Sequence, residues 1–189
     1  NVLAAAFVEV LDPRVSPHWI HLQISPISRL VLQRLGAANP DGLRARLGGP
    51  LLDRIMTVWG GVHSDHSGSV EVRLRSDRGP LSVRVLARPE TSAVLRGVRA
   101  KVARLAPLFG ARALTPFAQA APIGGGGHVG GSLPMRESPG QWQTDVYGRP
   151  GGRGRMFVVD AAVFPSLPAT TIALTIMANA HRKIGRAHV

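Results

Sequence analysis

The chain has no cysteine, which excludes disulfides and thiolate-held metal centres. Lysine is nearly absent too. Of 23 Lys and Arg residues only Lys101 and Lys183 are lysines. No apolar run approaches the roughly 20 residues a membrane-spanning helix needs, so no membrane span is expected. No G-x-S-x-G nucleophile elbow occurs, and no glycine loop is followed by a lysine–serine pair, which argues against an α/β-hydrolase and a P-loop nucleotide-binding protein. No glycine fingerprint stands behind a strand near the start of the chain. There is no initiator methionine and no basic leader in Asn1 to Val8, so a start in mid-protein is expected, with the compartment, cytoplasmic or periplasmic, left open.

At 189 residues and 44% hydrophobic content the chain can bury a substantial core as one domain or one and a half. The formal charge of +12 invites a nucleic-acid reading. The arginines, however, are scattered from Arg14 to Arg186, with no basic run interleaved with aromatics. No nucleic-acid partner is therefore expected, and the arginine skew is what GC-rich coding gives. The last six residues, Ile184 to Val189, do not suit the helix before them. They read like one frame of a common sequencing adapter and are expected to be a read-through scar, so His188 receives no role.

Periodicity predicts an α+β fold with a mostly antiparallel sheet and helices on one face. Strands are expected at Trp19–Ile24 and Ile55–Trp59, with helices over residues 27–35, ending at Gly36, and over Pro40–Leu47, stopped by Gly48 and Gly49. Ser69–Arg75 and Pro80–Leu86 alternate apolar and polar residues around an Asp-Gly turn, which reads as a β-hairpin with one wet face carrying Arg73, Arg75 and Arg84. After Pro89, the residues Val94, Leu95, Val98, Val102 and Leu105 form an amphipathic stripe, ended by Gly110. Residues 120–155 are rich in glycine and proline. Yet they hold His128, Trp142 and Tyr147, unusual for a spacer. Met156–Asp160 reads as a buried strand, and residues from about Thr170 to Lys183 as a deeply buried helix.

Two segments carry chemistry. His128 is framed by glycines, which let backbone approach a ligand closely. An imidazole with an unperturbed pKa near about 6.5 suits a general base, although an ordinary loop histidine has the same surroundings. Asp160 closes an apolar strand, where a carboxylate either caps a turn or meets a ligand. Thr170 or Thr171 can cap the following helix, whose N-terminus favours negative charge. His18 with His21, and His63 with Asp65 and His66, have spacings compatible with metal ligation. Neither set supplies a convincing third ligand, so polar edge or loop residues are the better account and no metal is expected.

These residues bring in a family. His128-x-x-Gly131-Ser132-x-x-Met135 resembles the H-x-x-G-T-x-x-M motif of the glucose–methanol–choline oxidoreductases, flavin-dependent alcohol oxidases and dehydrogenases. Val159-Asp160-x-Ala162-x-x-Pro165 resembles their V-D-x-S-x-x-P. The resemblance covers residues 69–183, and more weakly the first 60. It implies a substrate-binding domain over residues 1–127, a catalytic loop and return segment of an FAD-binding domain over residues 128–183, and a tail at 184–189. It implies an alcohol or sugar substrate, FAD as cofactor, and a missing N-terminal half that supplies the glycine fingerprint. His128 would accept the hydroxyl proton as hydride passes to the flavin N5. Asp160, Ala161, Thr170, Thr171 and Ile172 would line the cofactor. Thr171 stands where the family usually has a second His or Asn, which leaves His128 as the only base. Alone, the chain is expected to be inactive. The alternative is a non-catalytic β-rich module whose basic surface meets an acidic partner.

Overall fold

In a computed structural model, residues 5–34, 38–74, 76, 79–152 and 154–187 are described. Leu35, Gly36, Arg75, His188 and the centre of the hairpin turn lie outside them. The chain is α+β. Strands β1 (Ala6–Asp12), β2 (Ser16–Pro26) and β3 (Met56–Gly61) form an antiparallel sheet in that order, and β4 (Ser69–Leu74) pairs with β5 (Leu81–Leu86) in a separate hairpin. Between β2 and β3 lie three short helices, α1 (Arg29–Arg34), α2 (Pro40–Leu47) and α3 (Gly49–Leu52). Asn39 caps α2 by accepting from the Gly42 N–H at 2.9 Å. Gly48, at φ +80°, separates α2 from α3, a conformation glycine adopts without steric cost.

The amphipathic stripe does what its spacing requires. In α4 (Thr91–Leu105), Val94 and Val98 pack on Val10, Ile20 and Leu22 of the sheet, flanked by Val8, Val15 and Val102. Gly97 lies so close to Val15 that a Cβ there would meet its methyls. After a short 3-10 turn (Ala106–Phe109), Gly110 in the left-handed region ends the segment, its N–H bonded to Ala106 and Pro107 carbonyls. Under the sheet, the buried Asp12 carboxylate takes bonds from Arg14 at 2.9 Å and Lys101 at 2.6 Å, stapling β1 to α4.

Four expectations need correcting. First, β1 is an additional strand that the sequence pattern did not mark. Second, the β4–β5 hairpin has no dry face: Val70, Val72, Leu74, Leu81, Val83 and Val85 are 41–64% exposed, because among the described residues no helix or sheet lies on them. Third, Met156–Asp160 is not a strand. Its described ladder contact is one bond from the Val158 N–H to the Gly148 carbonyl at 2.9 Å, and a strand exists only through a neighbour's hydrogen bonds. Fourth, the closing helix α5 (Ala173–Ala187) begins three residues after Thr170 and runs four beyond Lys183, so Ile184–Ala187 continue it. Ile176, Asn179 and Lys183 face inward, but Leu174 and Met177 are exposed, so α5 is buried along one face rather than all round.

Candidate functional site

The two segments singled out by sequence are laid against each other. The Asp160 carboxylate accepts from the Ala162 N–H at 3.0 Å and so caps a 3-10 turn at Ala161–Val163. That turn offers its carbonyls to the glycine-rich segment. Gly131, Leu133 and Met135 donate their N–H groups to Ala161, Ala162 and Val163 at 3.0, 2.9 and 2.8 Å. Gly130 makes the approach possible, since a Cβ there would run into the Ala161 carbonyl. Gly131 sits at φ +76°, where side chains are disfavoured. Beneath the tie, Ala161, Val163, Phe164 and Ile172 form an apolar cluster joined by Met135, Val158, Leu167 and Ile176. The two motifs are one body, and the residue before α5 is part of it.

The sequence-predicted residues occupy this body unequally. Ala161 and Ile172 are buried, with side chains in the apolar cluster. Asp160 caps the turn. Thr170 is half-buried and Thr171 exposed; neither hydroxyl makes a hydrogen bond among the described residues. His128 is exposed, three residues before the first tie. Among the described residues no hydrogen bond or ion pair reaches its ring or joins it to Thr171. Two hollows, one lined by Glu71, Arg73, Leu74, Ser82 and Arg84, the other by Asp12, Arg14, Val15, Gly97, Ala100, Lys101 and Arg104, contain none of these residues.

Compared with protein-family models, curated proteins and solved structures, the chain finds no match.

Three polar side chains of α5 were hidden by the helix's apolar composition. Lys183 is 2% exposed and its Nζ donates to the Val158 carbonyl at 3.0 Å. Burial, reinforced by Arg182, pushes its ammonium pKa down, against the pull of Asp145 and Asp160. Asn179 Oδ1 accepts from Arg182 at 3.1 Å, and Arg182 also donates to the Val146 carbonyl at 2.9 Å. The i, i+4 spacing of Asn179 and Lys183 is the one sequence signal that marks this face. The glycine-rich segment is likewise no spacer. Thr144 is fully buried, and Asp145 holds the N–H groups of Tyr147 and Arg149 and the Arg149 guanidinium. Burial raises the Asp145 pKa, but those bonds from Arg149 and Tyr147 outweigh it and leave it lowered.

A second constellation joins histidines that sequence had kept in separate sets. The β2–β3 register pairs His21 with Gly61 and Leu22 with Gly60. Continued three residues, it brings His18 level with Ser64, between His63 and Asp65. The His18 and His63 rings stack at 3.8 Å. Asp65 Oδ2 lies 3.1 Å from His18 Nε2 and 3.4 Å from His63 Nδ1. Burial and the neighbouring His18 lower the His63 pKa. His21 is not part of this group. It stacks on Phe7 and binds Glu9.

Proposed function

We propose that this chain is the base-bearing, carboxyl-terminal part of an FAD-dependent oxidoreductase of the glucose–methanol–choline kind, acting on an alcohol or sugar CH–OH group. One observation carries the reading: three backbone bonds tie the segment after His128 to the turn after Asp160, so the motifs that resemble the family's two C-terminal motifs form one unit. Nothing in the amino-acid spacing requires segments about 30 residues apart to pack this way. A chance pair of motifs has no reason to.

The residues present fit one edge of a flavin. The first-turn N–H groups of α5 have no intrahelical partner, and Thr171 and Leu174 beside them are exposed. That edge suits an electron-rich carbonyl or ring nitrogen. The pyrophosphate-binding glycine fingerprint has to come from a half outside this chain. FAD, when bound, supplies the hydride acceptor. The chain's own contribution is proton handling and positioning. The His128 imidazole takes the substrate hydroxyl proton as the C–H bond gives up its hydride and the C–O bond becomes a carbonyl. Thr171 can donate or accept one hydrogen bond beside the reacting oxygen, but it takes no proton near neutral pH.

The test needs the chain joined to its FAD-binding half. His128→Ala should lower turnover by roughly 10²–10⁴-fold, the contribution of a general base, while bound flavin keeps its yellow absorbance. Thr171→Ala should cost less. Near-normal turnover in His128→Ala would remove the base from its role, and a protein that never takes up FAD would remove the family reading.

A further inference from the structure

We infer that His18, His63 and Asp65 form a binding site for a zinc-class divalent transition metal, independent of the flavin proposal. One ligand atom from each lies within 4.8 Å of the other two. Tetrahedral zinc held at about 2.0–2.2 Å sets its ligand atoms roughly 3.4 Å apart. The two imidazole-to-carboxylate separations, 3.1 and 3.4 Å, already have that value. To bind one ion the two imidazole nitrogens must close, and the stacked His18 and His63 rings, 16° apart in plane, must turn so that their lone pairs converge. His63 Nδ1 must also give up the Asp65 N–H it accepts at 3.2 Å.

The site is held from several sides before any ion arrives. Ser16 is fully buried, and its hydroxyl accepts the His18 N–H at 2.9 Å and donates to the His18 carbonyl at 3.0 Å. The same oxygen lies 2.9 Å from His66 Nε2. The turn bearing Asp65 is anchored to the second apolar cluster: Ser64 donates its N–H to Leu167 and accepts the Leu167 N–H, both at 2.9 Å. The His66 carbonyl accepts from the Thr91 hydroxyl at the head of α4. Such outer contacts fix ligand orientation.

Charge separates this cluster from an ordinary surface ion pair. The sequence holds 23 Lys and Arg against 11 Asp and Glu. Asp12, Asp41, Glu71, Glu90 and Asp145 each pair with arginine or lysine. Among the described residues no arginine or lysine reaches Asp65, whose ion-pair partners are His18 and His63. Its side chain is 55% exposed and that of His18 35%, which leaves a solvent-facing position for water. Two imidazoles and a carboxylate favour zinc, nickel or copper over magnesium or calcium. A bound ion would fasten β2 to the Ser64–His66 turn.

The experiment is calorimetric titration of the untagged 189-residue chain with ZnCl₂, with MgCl₂ in parallel, followed by a visible spectrum with Co²⁺. We expect one zinc per chain, no response to magnesium, and the d–d bands of a tetrahedral cobalt site. Asp65→Asn, a substitution at an exposed side chain that leaves the fold intact, should weaken zinc at least about tenfold, since even outer-shell losses cost 10–100-fold. His18→Asn and His63→Asn should do the same or more, while His128→Asn should leave affinity unchanged. Absence of zinc binding, or equal affinity in Asp65→Asn and the parent chain, overturns the site.

Discussion

Asp12 shows how much one side chain can organise. Hydrogen bonds from Arg14, then Lys101, hold its carboxyl well below the ordinary 3.8. A carboxylate with a depressed folded-state pKa contributes stability in full above its unfolded value. That contribution is lost as pH falls through the folded value. Thermal melts stepped downward from about pH 5, crossing the ordinary carboxyl range near about 3.9, should therefore show the parent chain losing stability faster than Asp12→Asn. Equal slopes would deny the staple its role. None of this was readable beforehand. Lys101 is one of only two lysines, but nothing in its spacing points to a residue 89 positions away. His18 and Asp65 were hidden for the same reason. Each was visible in its own set, but only the β2–β3 register makes them neighbours. His128 could be singled out from its flanking glycines without any help from the fold, but among the described residues its exposed ring meets no partner.

Elements were legible where one periodicity ruled. The α4 stripe predicted its own packing, since Val94 and Val98 could be buried only along one helical face. By contrast β1 has apolar residues on both faces, Val8 and Val10 inward and Phe7 and Leu11 outward. It is also irregular between Val10 and Asp12. No period of two survives that. Met156–Asp160 failed in the opposite sense: its composition suits a strand, but strandness belongs to a pair. The glycine tie between residues 130–135 and 161–163 is the element-scale feature most open to attack. Gly130→Ala places a methyl against the Ala161 carbonyl. It should cost about 1–3 kcal/mol, the usual range for overpacking, read as a lower urea midpoint at unchanged slope. An unshifted midpoint would mean that the tie is not closed in solution.

At the scale of the whole molecule, apolar surface is the dominant fact. The hairpin's six aliphatic side chains, the outer side of α5 with Leu174 and Met177, and Trp19, Trp59 and Phe7 are all exposed. Contiguous patches of this kind mark surfaces made for contact. The isolated chain should bind a hydrophobic dye such as ANS while its far-UV circular dichroism shows native helix and strand. It should also elute larger than a monomer on gel filtration. A dye-silent monomer would show that these side chains find cover within the chain. No helix among the described residues is long and apolar enough to cross a membrane, so the exposed surface is not that of a spanning helix.

The paired bonds between Ser64 and Leu167 also bear on time. They join residues 103 positions apart, and the free-energy cost of closing a loop rises with its length. The β2–β3 sheet pairs residues much nearer in sequence. The α4 packing, with Asp12 and Lys101 89 positions apart, and this seam both close on distant residues, and such contacts slow folding. A chain emerging from the ribosome has the residues of β2 and β3 well before it has Leu167 to lock against Ser64.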